Sequence, residues 1–206
     1  MFNKTCEDLK FSGIATVIEK ANALKSDNLI RLEVGDVDLD CPHAMTDGIL
    51  DALNNKLTHY PPLMGVGELR NTVSFDLSKE MKKDITQDNI LITPGGSMGM
   101  FYIFSTLLNA GDEVIILEPM WPHLKEMLKF LHIIPVCVGL KKDKNFHIDF
   151  NDIRQAITDK TKALLINVPN NPTGVMFTEQ ENQILAEMAE EYDLTIISDE
   201  EYCNYE

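Results

Sequence analysis

The segment NVPNNPTG occupies Asn167–Gly174 and directly follows the short apolar run Lys162–Ile166. The apolar run predicts a buried strand, and the segment after it predicts a loop. Asparagines, two prolines and a glycine make that loop rigid, because proline restricts the backbone and asparagine side chains bond to nearby backbone groups. The amide of Asn171 can donate a hydrogen bond to a phenolate oxygen. A generic turn needs fewer special residues, so the segment indicates a binding loop.

Short apolar runs alternate with amphipathic stretches on both sides of this loop. Continuous apolar runs are typical of parallel strands buried on both faces, and the stretches between them have helical periodicity. The sequence therefore predicts an α/β fold in which a mostly parallel sheet is sandwiched by helices. The predicted strands are Asn89–Ile92, Glu113–Leu117, Ile133–Val138, Lys162–Ile166 and Leu194–Ser198. The predicted helices are Ile14–Leu24, Met45–Leu53, Glu68–Met81, Gly96–Leu108 and Glu179–Glu191. Thr178 and Glu181 have the spacing of a capping box at the start of the last helix.

Three further segments near predicted strand ends carry residues suited to ligand binding. TPGGSMGM at Thr93–Met100 places paired glycines at the start of a helix, where backbone amides can approach a phosphate. EPMWP at Glu118–Pro122 contains the single tryptophan, whose ring can stack on an aromatic ligand. SDEEY at Ser198–Tyr202 places a carboxylate where it can pair with a protonated ring nitrogen. Alone, the glycine pattern fits a tight turn equally well, a single tryptophan is more often part of a core, and an acidic cluster at a strand end is usually a solvated loop or helix cap. Their common position matters, because ligands bind at the carboxyl ends of strands in such sheets.

Composition excludes several classes of function. The formal net charge of −15 repels the phosphates of nucleic acid and the anionic surface of a membrane. No apolar run reaches the length of a membrane span, and the first residues lack the apolar stretch of a signal peptide. The four cysteines lack a CxxC spacing and the five histidines lack a metal-ligand spacing. We therefore predict no metal site, no nucleic-acid or membrane partner, and a reducing, cytoplasmic location.

Taken in order, these segments resemble the fold-type I pyridoxal 5′-phosphate enzymes, specifically the class I/II aminotransferases of the aspartate aminotransferase superfamily. The resemblance extends from LEVGDVDLDCP at Leu32–Pro42 to SDEEY at Ser198–Tyr202, and NNPTG followed by SDExY is its most specific part. It implies an N-terminal segment over residues 1–43 and the first part of the large cofactor-binding domain over residues 44–206. It also implies a homodimer with shared active sites that transfers an amino group between an amino acid and a 2-oxo acid.

The resemblance implies four residues around the cofactor ring. Asp199 is expected to hold the pyridine nitrogen protonated, which makes the ring an electron sink. Asn171 and Tyr202 are expected to hydrogen-bond the ring's 3′ oxygen, and Trp121 to stack on the ring face. Asn171 and Trp121 are also expected to contribute to substrate binding.

The resemblance implies a second group of residues around the phosphate and the substrate carboxylate. The turn formed by Gly95, Gly96 and Ser97 is expected to hold the cofactor phosphate through its backbone. Tyr60 resembles the tyrosine that reaches the phosphate of the neighbouring subunit's cofactor, which places active sites at a twofold interface. Gly35 matches a backbone position near the substrate carboxylate.

In the family, a lysine beyond SDExY binds the cofactor covalently and serves in catalysis. The chain given ends at Glu206, so we expect these 206 residues to bind pyridoxal 5′-phosphate without covalent attachment and to be inactive alone. Stoichiometric labelling of one lysine after borohydride reduction would contradict this expectation. By the same resemblance, the Glu118–Pro119 and Asn171–Pro172 peptide bonds are candidates for cis geometry.

Three other interpretations stay open from the sequence. A carbon–sulfur lyase of the same fold uses the same electron sink, and it would release pyruvate and ammonia without an oxo-acid acceptor. A non-catalytic truncated homologue would act as a binding or dimerisation partner through exposed apolar surface. A nicotinamide-binding Rossmann domain has a similar strand and helix alternation, but the chain lacks GxGxxG after its first strand.

Overall fold

The computed structural model describes residue 5 and residues 13–24, 26, 28–35, 37 and 39–204. The helices are α1 (Gly13–Ala23), α2 (His43–Asn54), α3 (Gly67–Met81), α4 (Gly96–Leu107), α5 (Pro122–Phe130), α6 (Phe150–Ala156) and α7 (Glu179–Glu191). The strands are β1 (Glu113–Glu118), β2 (Ile134–Gly139), β3 (Thr161–Asn167) and β4 (Thr195–Asp199). Two compact units result, one over Gly13–Thr93 and one that contains the sheet from Pro94 onwards.

The four strands form one parallel sheet in the order β2-β1-β3-β4. Ile115 of β1 lies beside Val136 of β2 on one side and beside Leu164 of β3 on the other. Asn167 at the end of β3 lies level with Asp199 at the end of β4. Because all strands run the same way, their carboxyl ends lie along one edge of the sheet.

Helices cover both faces of the sheet, as the continuous apolar runs predict. Alternate side chains of β1 belong to two separate core clusters. One cluster includes Val114, Ile116, Phe104 of α4 and Leu128 of α5. The other includes Ile115, Leu164, Ile153 of α6 and Leu185 of α7. Burial of each such side chain stabilises the fold by about 1.5–3 kcal/mol, so these clusters hold the strand ends in fixed positions.

Four of the five predicted strands are present, with ends displaced by one residue at most. The predicted strand Asn89–Ile92 is wrong. Gln87–Asn89 is a 3₁₀ turn, and the next residues pair with groups outside a sheet. The Ile92 N–H donates to Met64 O at 3.0 Å, and Ile90 O accepts from Arg70 Nε at 3.0 Å. An apolar run becomes a strand only where another strand satisfies its backbone groups.

All five predicted helices are present within two residues of their expected ends, and two shorter helices were missed. α5 and α6 have only nine and seven residues, too few for a clear periodicity. The capping box of α7 is confirmed. The Glu181 N–H donates to Thr178 Oγ1 at 3.2 Å, and Glu181 Oε2 accepts from the Thr178 N–H at 2.8 Å.

The unit over Gly13–Thr93 has little buried core. Among its described residues, only Ser74 and Ile90 are buried. Arg70 links α3 to the turn after it by donating to Gln87 O and Ile90 O. Residues 1–4 and 6–12 of the predicted N-terminal segment lie outside the described residues, and the boundary between residues 43 and 44 stays a prediction. None of the described helices is both long and apolar enough to cross a membrane.

Candidate functional site

Three of the predicted segments follow neighbouring strands at one edge of the sheet. EPMWP begins at the end of β1, NVPNNPTG at the end of β3 and SDEEY at the end of β4. β3 lies between the other two strands, which places the ends of β1 and β4 about 10 Å apart. At this distance, residues that follow β1 and residues that follow β4 can contact the same small aromatic ring from opposite sides.

Asn167 connects two of these segments. Its Nδ2 donates to Asp199 O at 3.1 Å, and its Oδ1 accepts from the Asn171 N–H at 2.7 Å. The Val168 N–H donates to the same Asp199 oxygen at 3.0 Å. Asn167 is buried, so losing either bond would leave a buried polar group without a partner. The side chain therefore holds the loop after β3 against the end of β4.

Asn170 connects the same loop to the end of β1. Its Nδ2 donates to Pro119 O at 3.2 Å, and its Oδ1 accepts from the N–H and hydroxyl of Thr173 at 3.2 and 2.7 Å. Asn170 is also buried. The loop is thus fixed on both sides by buried asparagines.

Both peptide bonds named as cis candidates, Glu118–Pro119 and Asn171–Pro172, are cis. A third peptide bond, Val168–Pro169, is cis as well and was not among the predicted candidates.

The structure brings Asn171 and Tyr202 together, and their predicted bonds to the ring's 3′ oxygen stay predictions. Asn171 Nδ2 donates to Tyr202 Oη at 3.0 Å. The amide of Asn171 is oriented by its own backbone bond to Asn167, whereas Tyr202 follows β4. Two hydrogen-bonding groups this close together can both reach one oxygen of a bound ligand.

Asp199 ends β4 and is partly buried. Its Oδ1 accepts from the Glu201 N–H at 3.3 Å, which restrains the carboxylate. A carboxylate in such a position can form a charge-assisted bond with a protonated ring nitrogen.

The glycine turn lies at the start of α4. Gly95 has a backbone φ of +85°, which residues other than glycine rarely adopt, and α4 begins at the next residue, Gly96. Ser97 follows in the first turn, where the helix N-terminus exposes backbone N–H groups. The first turn of α4 contains no acidic residue. The N-terminus of a helix has a local dipole that favours an anion such as phosphate.

Trp121 precedes α5 after the end of β1 and packs partly against the core. Its ring meets His123 edge to face, with ring centroids 4.8 Å apart and an interplanar angle of 76°. The indole is thus restrained by a neighbour, and its role in stacking on a ligand stays a prediction.

Charge at the end of β1 is balanced by one ion pair. Lys125 Nζ lies 2.7 Å from Glu118 Oε1. The bond to Glu118 and, next, the Cys137 side chain raise the pKa of the Lys125 ammonium above its ordinary range. Lys125 therefore stays cationic beside the site at neutral pH.

Gly35 and Tyr60 lie in the unit over Gly13–Thr93. Gly35 occupies an irregular exposed segment, and Tyr60 is fully exposed in the connection between α2 and α3. Their predicted contacts with substrate and with a neighbouring subunit's phosphate stay predictions.

Asn167 and Asn170 position the site but were not predicted to do so. The signal was present, since both are polar residues in or directly after an apolar strand, where a buried side chain must find partners. Two of the partners, Asp199 and Pro119, lie at the ends of other strands, and sequence order alone does not identify them.

Comparison with known proteins agrees with this geometry. The family model for aminotransferase class I and II matches residues 27–205. A probable aspartate/prephenate aminotransferase of Aquifex aeolicus is 37% identical over 196 residues, which cover 94% of this chain and 50% of the relative. The relative of the same name from Thermus aquaticus is 38% identical over 192 residues, covering 91% and 50%.

Solved structures give the same result. Aspartate aminotransferase from Thermus thermophilus with maleate superposes with a TM-score of 0.90 at 32% identity, covering 96% of this chain and 52% of that one. Aspartate aminotransferase from Thermotoga maritima gives 0.92 at 30% identity, covering 96% and 53%. The chain spans about half the length of these relatives. The matched residues include all four strands of the sheet, so the chain belongs to the class I and II aminotransferases, of fold-type I.

Proposed function

We propose that this chain supplies the cofactor-binding part of a pyridoxal 5′-phosphate-dependent aminotransferase, which transfers an amino group between an amino acid and a 2-oxo acid. The observation that carries the proposal is the pairing of Asn171 with Tyr202 beside Asp199. Asn167 holds these groups together through bonds to both segments. Family membership supports the same assignment.

The residues present fit the cofactor. The positive φ of Gly95 opens the turn at the start of α4, and a β-carbon there would meet no other heavy atom within 4 Å. Glycine is therefore needed for the backbone conformation, and the space beside it is free for a phosphate. A carboxylate, an amide and a phenol at the strand ends match a ring nitrogen and a ring oxygen.

Each residue has a distinct proposed role. The amides of Gly95, Gly96 and Ser97 bind the phosphate, and Asp199 keeps a proton on the ring nitrogen. Asn171 and Tyr202 orient the ring through its 3′ oxygen. The bound cofactor supplies an electron sink that stabilises negative charge at the substrate's α-carbon.

The substrate and the assembly are proposed by similarity. Relatives named for aspartate make aspartate the first candidate for the amino donor. Trp121 and Gly35 are proposed to contact the substrate. Tyr60 is proposed to reach a second copy's phosphate in a homodimer, which its full exposure permits. A cytoplasmic location is proposed from the scattered cysteines, of which Cys41, Cys137 and Cys203 are free.

Trp121 provides a direct test, because it is the single tryptophan. We expect saturable quenching of its fluorescence on titration with pyridoxamine 5′-phosphate, which lacks the aldehyde that reacts with surface lysines. Asn171→Ala and Asp199→Asn should each raise the Kd about tenfold, because each removes a hydrogen bond to a polar or charged ring group. Asn151→Ala, an exposed asparagine on α6, is the matched control.

Equal affinity in the wild-type chain and both site variants would show that the ring does not bind at these strand ends. Weakening in Asn151→Ala to the same degree would point to general destabilisation. Circular dichroism on each variant separates these two results.

A further inference from the structure

The N-terminus of α4 has no acidic side chain of its own to balance the helix dipole. Gly95, the residue that caps the helix, has no side chain, and no acidic residue occurs in the first turn. A helix N-terminus carries a partial positive charge and attracts the nearest anion.

One carboxylate that lies near this helix start is that of Glu201, which follows β4. A β-carbon built on Gly96 would lie 3.7 Å from Glu201 Oε2. The Glu201 N–H donates to Asp199 Oδ1 at 3.3 Å, which fixes the backbone from which this carboxylate extends. Residues 96 and 201 are distant in sequence, so the tertiary structure alone creates this contact.

A carboxylate at this position competes with a phosphate. Both groups are anions near the same helix N-terminus, and two like charges a few ångströms apart repel each other even in water. A phosphate bound at the turn formed by Gly95, Gly96 and Ser97 must either displace Glu201 or bear this repulsion.

We propose that Glu201 is an internal anion that covers the phosphate-binding turn and lowers the affinity of this chain for phosphorylated ligands. The inference rests on the proposed function, since it concerns regulation of the same cofactor site. Glu201 opposes binding of the phosphate group and leaves the affinity for the ring unchanged. The chain is thereby set to release and exchange its cofactor more readily than a chain with a neutral residue at position 201.

The test compares two ligands that differ only in the phosphate. In Glu201→Gln, the Kd for pyridoxamine 5′-phosphate should fall about three- to tenfold, whereas the Kd for pyridoxamine should stay unchanged. Glu200→Gln is the matched control, because it removes an equal charge one residue away, from a carboxylate that accepts the Ser198 hydroxyl at 2.8 Å. It should change the affinity for neither ligand by more than about twofold.

Salt provides a second measurement that a change in packing would not reproduce. The difference between wild type and Glu201→Gln should shrink towards zero in 1 M KCl, where the Debye length is about 3 Å. A difference that persists at high salt, or that appears equally with pyridoxamine, would overturn the proposal.

Inorganic phosphate separates this proposal from the proposed function. If neither pyridoxamine compound binds the wild-type chain, the proposed function fails, and phosphate alone decides the role of Glu201. Amide chemical shifts of Gly95, Gly96 and Ser97 on titration with phosphate should then saturate at lower concentration in Glu201→Gln. Identical titrations in the two proteins, or no shift in either, would overturn the inference.

Discussion

At the scale of single residues, two adjacent asparagines have opposite roles. Asn170 is buried and hydrogen-bonds to Pro119 O and to the N–H and hydroxyl of Thr173. Asn171 is only partly buried and hydrogen-bonds to Tyr202. Asn170→Ala should therefore lower the free energy of unfolding by about 1–3 kcal/mol, because it leaves buried groups without partners. Asn171→Ala should cost less than about 1 kcal/mol in stability while it weakens cofactor binding. Urea unfolding of the two variants tests this contrast, and equal stability losses would contradict it.

At the scale of elements, the start of α7 should be sensitive to acid. Burial alone raises the pKa of the Glu181 carboxyl, but bonds from Thr178 and His147 outweigh it and hold that pKa below its ordinary value of 4.5. A lowered folded-state pKa stabilises the fold above pH 4.5, and this contribution is lost as the pH falls from there through the folded-state pKa. Glu181→Gln should therefore destabilise the chain by about 1 kcal/mol at pH 7, with the difference vanishing in stronger acid. Glu179→Gln changes a residue in the same turn but outside the capping box. In urea unfolding it should lower the free energy of unfolding by less, both at pH 7 and in acid. Matching pH profiles for the two variants would count against the prediction.

At the scale of the whole molecule, the two units should differ in how readily they unfold locally. In the described part of Gly13–Thr93, only Ser74 and Ile90 are buried, whereas β1 and β3 are buried along most of their length. Amide exchange is slow only where opening requires exposure of a packed core. Peptides from α2 should therefore exchange deuterium at least about 100-fold faster than peptides from β1. Hydrogen-exchange mass spectrometry measures both in one experiment, and comparable protection would show that the first unit has a core of its own.

Much of the site was predictable from sequence because its chemistry lies in short motifs. Paired glycines before a helix, a proline-rich loop and an acidic strand end each act over a few neighbouring residues. The strand predicted over Asn89–Ile92 shows the limit of such reasoning. The segment is largely apolar, but its backbone groups pair with Met64 and Arg70 and not with another strand. Sequence periodicity reports burial, whereas the presence of a strand depends on a partner elsewhere in the chain.

By itself, the sequence determined the four strands of the sheet, the five longer helices and the loop after β3, since periodicity and turn chemistry are local properties. Only the tertiary structure decided which of these residues meet. Pairing of β4 with β3 brings Asn167 beside Asp199 across 32 residues of sequence, and the same packing places Glu201 near Gly96. Such contacts depend on strand order and register, which are set by burial of the whole sheet between its helices and not by any single segment.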